Sequence, residues 1–330
     1  MFVRIISFLS ALAILALSFG CKQEGFTQKF NAGLSRGDLL EVDIDTNAMT
    51  YSFVVTEGDL KGKPEGKGSG KLVREASLGQ NAYLTDSNPP AFVLAIENKV
   101  AVGVVGRDFY VGVPKKDEKI GLSEVAGIYN FVSYLPNGIP GQREKTTLEG
   151  TVEILADGKG KVVFQADIAH ATQANSHAIK LVPQSEGIFS ILSDDTKETK
   201  LANFLPRLDS QNNIFAVIDF ADPKVLKGIG FAQKQRILEE NSLNGSYLAY
   251  ETGSPEVTRG QVQGANLILN NSLLKNATAT VTLNYPWAGV VHGKLGNVFD
   301  FFGIYSGSEL YSILVKKGQS RPQAFIAIKE

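Results

Sequence analysis

Beyond residue 38 the chain runs in short stretches of alternating apolar and polar residues, broken by Gly, Asn, Asp and Pro. A period of two with turn residues between the runs predicts antiparallel β-strands with one buried face. Thr278 to Tyr285 is the clearest run: Ala279, Val281, Leu283 and Tyr285 share one face, and Thr278, Thr280, Thr282 and Asn284 the other. Thr151 to Ile168 predicts a hairpin with Val152, Ile154, Val162, Phe164, Ala166 and Ile168 inward about an Asp157-Gly158 turn. Leu39 to Thr56 predicts another, turning at Thr46-Asn47. Helix is confined to the connectors Lys116 to Val125 and Lys234 to Ser242, with a further short piece at Asp195 to Phe204.

The pattern repeats. Gly112-Val-Pro-Lys-Lys precedes Gly127-Ile-Tyr129 by the same interval as Gly230-Phe-Ala-Gln-Lys precedes Gly245-Ser-Tyr247. A closing hairpin recurs at Ala91 to Lys116, Ile214 to Gln235 and Leu310 to Lys329. Three related units follow, at 38–118, 119–238 and 239–330, behind a polar tether over 21–37. The fold class is therefore all-β: tandem small antiparallel β-barrel or β-sandwich units, since these shapes bury one face of so many short strands. The Gly-x-Tyr openings of the second and third units resemble the Gly-x-Trp opening of lipocalins.

The segment before the tether has a different character. Arg4 precedes the uncharged run Ile5 to Phe19, which matches an export signal and falls short of a bilayer-spanning helix. Leu17-Ser18-Phe19-Gly20-Cys21 follows, and Cys21 is the chain's only cysteine. The segment 1–20 with Cys21 resembles the signal of bacterial lipoproteins. That resemblance implies cleavage before Cys21, a diacylglycerol on its thiol with fatty acylation (palmitate) of its amine, and, with Lys22 next in sequence, residence at the outer membrane of a Gram-negative cell. Ordinary cleavage behind Gly20, or retention of the apolar run as an anchor, are the alternatives. Two or three acyl chains suffice for stable attachment.

Charge excludes one class of partner. Thirty-three Lys and Arg against 34 Asp and Glu leave a net charge of −1, without the positive field that a nucleic-acid binder needs. The candidate chemistry is sparse. Asp167, His170 and His177 lack the spacing of a metal set, so no metal or other cofactor is expected. Asp43-x-Asp45-x-Asn47 begins like a calcium loop but lacks its glycine and its bidentate glutamate. Gly62 to Lys71 lacks P-loop spacing, and its Lys63, Lys67 and Lys71 with Arg74 suit a solvated hairpin or an anionic headgroup. Arg36-Gly37-Asp38 is the integrin tripeptide, near the tether. Tyr285, Trp287, Phe299, Phe301, Phe302, Tyr305 and Tyr311 crowd the third unit, mostly as core. Trp287 follows Pro286 beside His292, where a ring at a barrel rim can line a small apolar or sugar-like site with Tyr285 and His292 as neighbours.

These features favour a membrane-tethered exported lipoprotein acting as a binding or envelope-assembly module rather than an enzyme. Its partners would be membrane lipid through Cys21, an envelope protein, a glycan or a small apolar ligand. A surface adhesin or host-contact protein is the first alternative, and an exported enzyme whose groups converge only in the fold is the second.

Overall fold

The computed structural model describes residues 25–75, 81–88, 90–106, 108–115, 120–138, 147–184, 187–208, 213–220, 226–251, 257–270, 277–295, 299–307, 309–316 and 323–329. The fold is all-β, in three closed eight-stranded antiparallel barrels that follow one another along the chain. In each barrel neighbouring strands are consecutive in sequence and the last strand pairs with the first, so no edge is left unpaired.

The first barrel contains β1 (Thr27–Leu34), β2 (Leu39–Asp45), β3 (Thr50–Glu57), β4 (Lys67–Arg74), β5 (Ala82–Thr85), β6 (Phe92–Ile96), β7 (Val100–Val105) and β8 (Asp108–Pro114). The second has β9 (Gly127–Tyr134), β10 (Thr147–Ile154), β11 (Lys159–Phe164), β12 (Ser176–Pro183), β13 (Phe189–Ser193), β14 (Lys200–Leu208), β15 (Ile214–Phe220) and β16 (Gly228–Lys234). The third has β17 (Gly245–Glu251), β18 (Val257–Gln263), β19 (Asn266–Asn270), β20 (Ala277–Leu283), β21 (Val290–Leu295), β22 (Phe299–Tyr305), β23 (Glu309–Lys316) and β24 (Gln323–Lys329).

Four expectations need correction. The expected tether over 21–37 contains β1, because Phe30, Ala32 and Leu34 alternate inward and are fully buried, while Thr27 and Lys29 are exposed and Asn31 is buried on the side of the second barrel. The connector at Asp195 to Phe204 is a turn leading into β14, where Ala202 and Phe204 point into the barrel. Of the two other helical connectors, α1 (Leu122–Val125) is one turn, and 235–242 has no helix. Ile168 leaves the strand pattern as well: β11 ends at Phe164, Gln165 has φ 59°, and Ile168 begins a short 3-10 turn.

Each barrel is filled by its own side chains. Phe30, Leu40, Ile44 and Tyr110 occupy the first, Tyr129, Phe131, Phe189 and Phe204 the second, and Tyr247, Val281, Phe301 and Tyr305 the third. A fourth apolar cluster lies outside all three barrels and joins them. Val111 and Val113 of β8, Val217 of β15, Phe231 of β16, Tyr250 of β17 and Ile326 of β24 meet there. Phe92 and Tyr250 stack across it with ring centroids 5.6 Å apart and planes 5° apart. Strands at this junction are buried on both faces, so Ile214–Phe220 is apolar almost throughout instead of alternating.

In an up-and-down barrel, successive turns fall at alternate ends. The end at which β1, β9 and β17 begin holds Gly25 and both inter-barrel linkers, and is called here the linker end; the other is the loop end. The three barrels point the same way. At the loop end, Gly37 of the first barrel meets Phe220 and Gly228 of the second, and Lys200 bridges to Glu57 at 2.5 Å. At the linker end, Asn130 of the second barrel donates to the Ala288 carbonyl of the third at 2.8 Å.

Candidate functional site

Tyr285, Trp287 and His292 lie around the connection between β20 and β21, at the linker end of the third barrel. Asn284 sets its shape. With φ 54°, this residue breaks the alternation that carried Ala279, Val281 and Leu283 inward. Tyr285 therefore lies on the outside, 52% exposed, and not in the barrel as the strand pattern predicts. The Tyr285–Pro286 peptide is cis. The Asn284 amide accepts from the backbone N–H of Leu238 at 2.8 Å and of Gly289 at 3.0 Å, and donates to the Leu238 carbonyl at 2.8 Å. One side chain thus fastens the connection to the inter-barrel linker.

The structure brings Tyr285 and His292 together, with ring centroids 5.3 Å apart. His292 Nε2 lies 2.9 Å from Asp300 Oδ1, and the far side of its ring packs on Phe302 at 5.0 Å. An exposed phenol backed by an imidazole that a carboxylate orients can stack on a flat apolar face and offer polar edges to hydroxyls. Trp287 is half-buried, and its indole N–H is enclosed without a hydrogen-bond partner among the described residues. The next two residues leave the rim altogether. Ala288 accepts from Asn130, and Gly289 sits so close to the second barrel that a Cβ would lie 2.6 Å from Asn130 Nδ2 and 2.7 Å from the Arg236 carbonyl. The connection is thus partly a clasp between barrels and partly an exposed aromatic surface.

The remaining candidates separate. Asp167 caps the 3-10 turn at Ile168–His170 and contacts His170 Nδ1 at 2.6 Å, whereas His177 packs on Phe164. Among the described residues no group of three or more His, Cys, Asp or Glu is placed to hold a metal. Asp45 accepts from the N–H groups of Asn47 and Ala48 at 2.9 and 2.7 Å, which makes it a turn-forming residue at the end of β2. Lys63, Lys67 and Lys71 are exposed around a 3-10 turn at Pro64–Gly66, and Arg74 lies over the Tyr83 ring. The Arg36-Gly37-Asp38 turn is docked between barrels with Asp38 only 1% exposed, so it cannot present itself as an integrin ligand. Of the third unit's aromatics, Phe301 and Tyr305 are core and Phe302 packs on the shared cluster. The side chains of Phe299 and Tyr311, like Cys21, lie outside the described residues.

A polar seam between the first two barrels matches none of the motifs in the sequence. Asp219 of β15 is fully buried and accepts from Asn203 Nδ2 at 3.1 Å. Glu57 at the end of β3 holds Lys200 at 2.5 and 2.7 Å, and Lys227 pairs with Asp59 beside it. Burial, with Glu57 and Asp38 nearby, pushes the Asp219 carboxyl up to about 8 against the pull of Asn203 and Lys200. Burial also raises Asp38, whose carboxylate accepts from the Leu60 N–H at 3.1 Å. The signal was a single acid in the apolar run Ile214–Phe220. This seam is enclosed by protein and docks one barrel on the other. The neighbouring cleft, lined by Asn31, Pro114, Ile188 and Leu205, is narrow, with room for about one water.

No family model matches the chain, and comparison with curated proteins finds no match. Among solved structures, the beta chain of DNA polymerase III from Streptococcus pneumoniae aligns over 92% of this chain and 91% of its own, at 11% identity and a TM-score of 0.13. A likeness at that level carries no argument about fold or function.

Proposed function

We propose that this chain is an exported, lipid-anchored protein whose three-barrel body serves as a binding or envelope-assembly module, without a reaction of its own. One observation carries the reading: the only cysteine lies directly behind an uncharged run, and five residues later Phe26 is already buried in the body, its N–H held by Thr46 at 2.7 Å. A thiol at that junction is where a lipid would leave the body free in water and close to the membrane.

The body suits recognition by its outer surface. Its barrels are filled with side chains, so a ligand would meet connections and exposed faces instead of an interior cavity. Two surfaces are available: the loop end, with long connections at 58–66 and 165–175, and the aromatic connection at Tyr285, Trp287 and His292. An envelope protein or glycan suits the first, and a sugar-like or small apolar ligand the second.

Mass spectrometry of the N-terminal peptide tests the anchor. A diacylglyceryl group on Cys21, and release of a Cys21→Ser protein from membranes, are expected. An unmodified Cys21 in membrane-bound protein would overturn the reading. The long loop-end connections also favour a second reading, a surface adhesin facing away from the membrane. Protease treatment of intact cells separates the two, because only a surface-exposed protein is cut.

A further inference from the structure

We infer that the linker end of the body is a membrane-contact face, resting on the lipid surface with apolar side chains from all three barrels. Five large hydrophobic side chains are conspicuously exposed among the described residues, and four of them lie at this end. Val73 (58%) is the penultimate residue of β4, Leu155 (48%) begins the β10–β11 turn, Ile237 (76%) is in the β16–β17 linker, and Tyr285 (52%) is in the β20–β21 connection. Topology, not sequence proximity, gathers them, since every one follows an odd number of strand reversals from the loop end. The fifth, Val54, is midway along β3.

Water gains nothing from four exposed apolar groups on one end of a protein, whereas each would be stabilised in the boundary between headgroups and acyl chains. Tyr285 and half-buried Trp287 supply the amphipathic rings that favour that boundary. The loop end holds none of the five: exposed there are Lys61, Lys63, Glu65 and Lys67 on the first barrel, and Asp195, Lys197 and Glu198 on the second. Charges at the linker end, such as Asp157 with Lys159 and Glu97 with Lys99, are of mixed sign, so contact would rest on apolar insertion and not on attraction to anionic lipid.

The chain's path names lipid as the occupant. The described body starts at Gly25 on this same end, and the uncharged run Ile5–Phe19 and Cys21 precede it. The five chain steps from Cys21 to Phe26 reach at most about 18 Å when fully extended. A lipid on Cys21 would therefore hold this end against the bilayer and leave the loop end outward. The inference rests on the lipid-anchor reading for that approach, while the exposed side chains are independent of it.

The single tryptophan lies at the proposed face and reports on it. The full-length exported protein, purified from membranes and reconstituted in phosphatidylethanolamine/phosphatidylglycerol vesicles with brominated acyl chains, is expected to show quenched Trp287 emission that salt does not restore. A Leu155→Asp, Ile237→Asp double variant, its fold checked by circular dichroism, is expected to stay anchored through Cys21 yet lose the quenching. Protein with a lipidated Cys21 but unquenched Trp287 would overturn the contact face and leave the anchor standing. Protein with an unmodified Cys21 that is still quenched would overturn the anchor and leave the face standing. Absence of both lipidation and quenching would overturn the two together.

Discussion

Tyr129 and Tyr247 occupy the same place in successive barrels: each donates its hydroxyl at 2.6 Å to a carbonyl four residues earlier, Val125 and Leu243 respectively. Each also pairs across the closing seam with a lysine, Lys234 or Lys329. The ring fills the end of the barrel, and its hydroxyl satisfies a carbonyl of the linker that enters it. The shared Gly-x-Tyr sequence is thus a device for sealing a barrel where the chain arrives.

Tyr129→Phe and Tyr247→Phe keep the ring and remove that bond. Each is expected to cost about 1 kcal/mol, the net worth of a buried hydrogen bond with its partner left behind. Chemical denaturation should show similar losses for the two variants. If the costs differ widely, the two positions are not equivalent.

Gly37 stands at φ 82°, where a Cβ would lie 2.1 Å from the Phe220 carbonyl of the second barrel. Gly37→Ala combines left-handed strain with a backbone clash that no side-chain rotation relieves. A loss of about 2 kcal/mol or more is expected from these two causes. It should fall on docking: limited proteolysis should open the first two barrels from each other before either barrel unfolds.

Asp219 gives a pH dependence whose sign is fixed by burial. Its carboxyl titrates near 3.8 when unfolded and about 8 when folded, so the folded state retains a proton that the unfolded state has lost. Its contribution to stability is complete below about pH 4 and is lost as pH rises towards 8. Asp38 and Glu57 from the first barrel, and Asn203 and Lys200 from β14, are the groups that bear on it. Asp219→Asn is expected to gain on the wild type across that window, by an amount on the order of a few kcal/mol at pH 8. Thermal unfolding at pH 5 and pH 8 measures it. Asp38, which burial also raises, adds a slope of the same sign.

The architecture was legible where burial is one-sided or complete. Thr278 to Leu283 alternates because one face lines a barrel and the other meets water. The recurring closing hairpins stood out for a different reason, namely that Val111, Val217, Phe231 and Ile326 extend into the shared cluster on the outer face of the sheet. The first strand was hidden because Thr27, Lys29, Asn31 and Gly33 on its outer face disguise Phe30, Ala32 and Leu34. Tyr285 was misplaced because a single left-handed residue inverts a period of two, and Asn is the only local hint of it. The Asp38–Asp219 seam joins residues far apart in sequence, so only the packing of one barrel on another reveals it.

That same residue separates the two roles of the β20–β21 connection. Asn284 makes three hydrogen bonds that tie the connection to Leu238 and Gly289, and it adopts a backbone conformation that alanine resists. Asn284→Ala is expected to lose about 2 to 3 kcal/mol, from the lost bonds and the left-handed strain. Tyr285→Ala removes an exposed ring and is expected to change stability by no more than about 0.5 kcal/mol. If the aromatic surface binds a sugar-like or apolar ligand, Tyr285→Ala weakens binding with the fold intact. Titration of a soluble glycan panel against Trp287 emission, in wild type and Tyr285→Ala, decides the matter. A ligand that shifts the emission equally in both proteins does not use this ring, and a Tyr285→Ala protein that unfolds with Asn284→Ala would make Tyr285 part of the clasp.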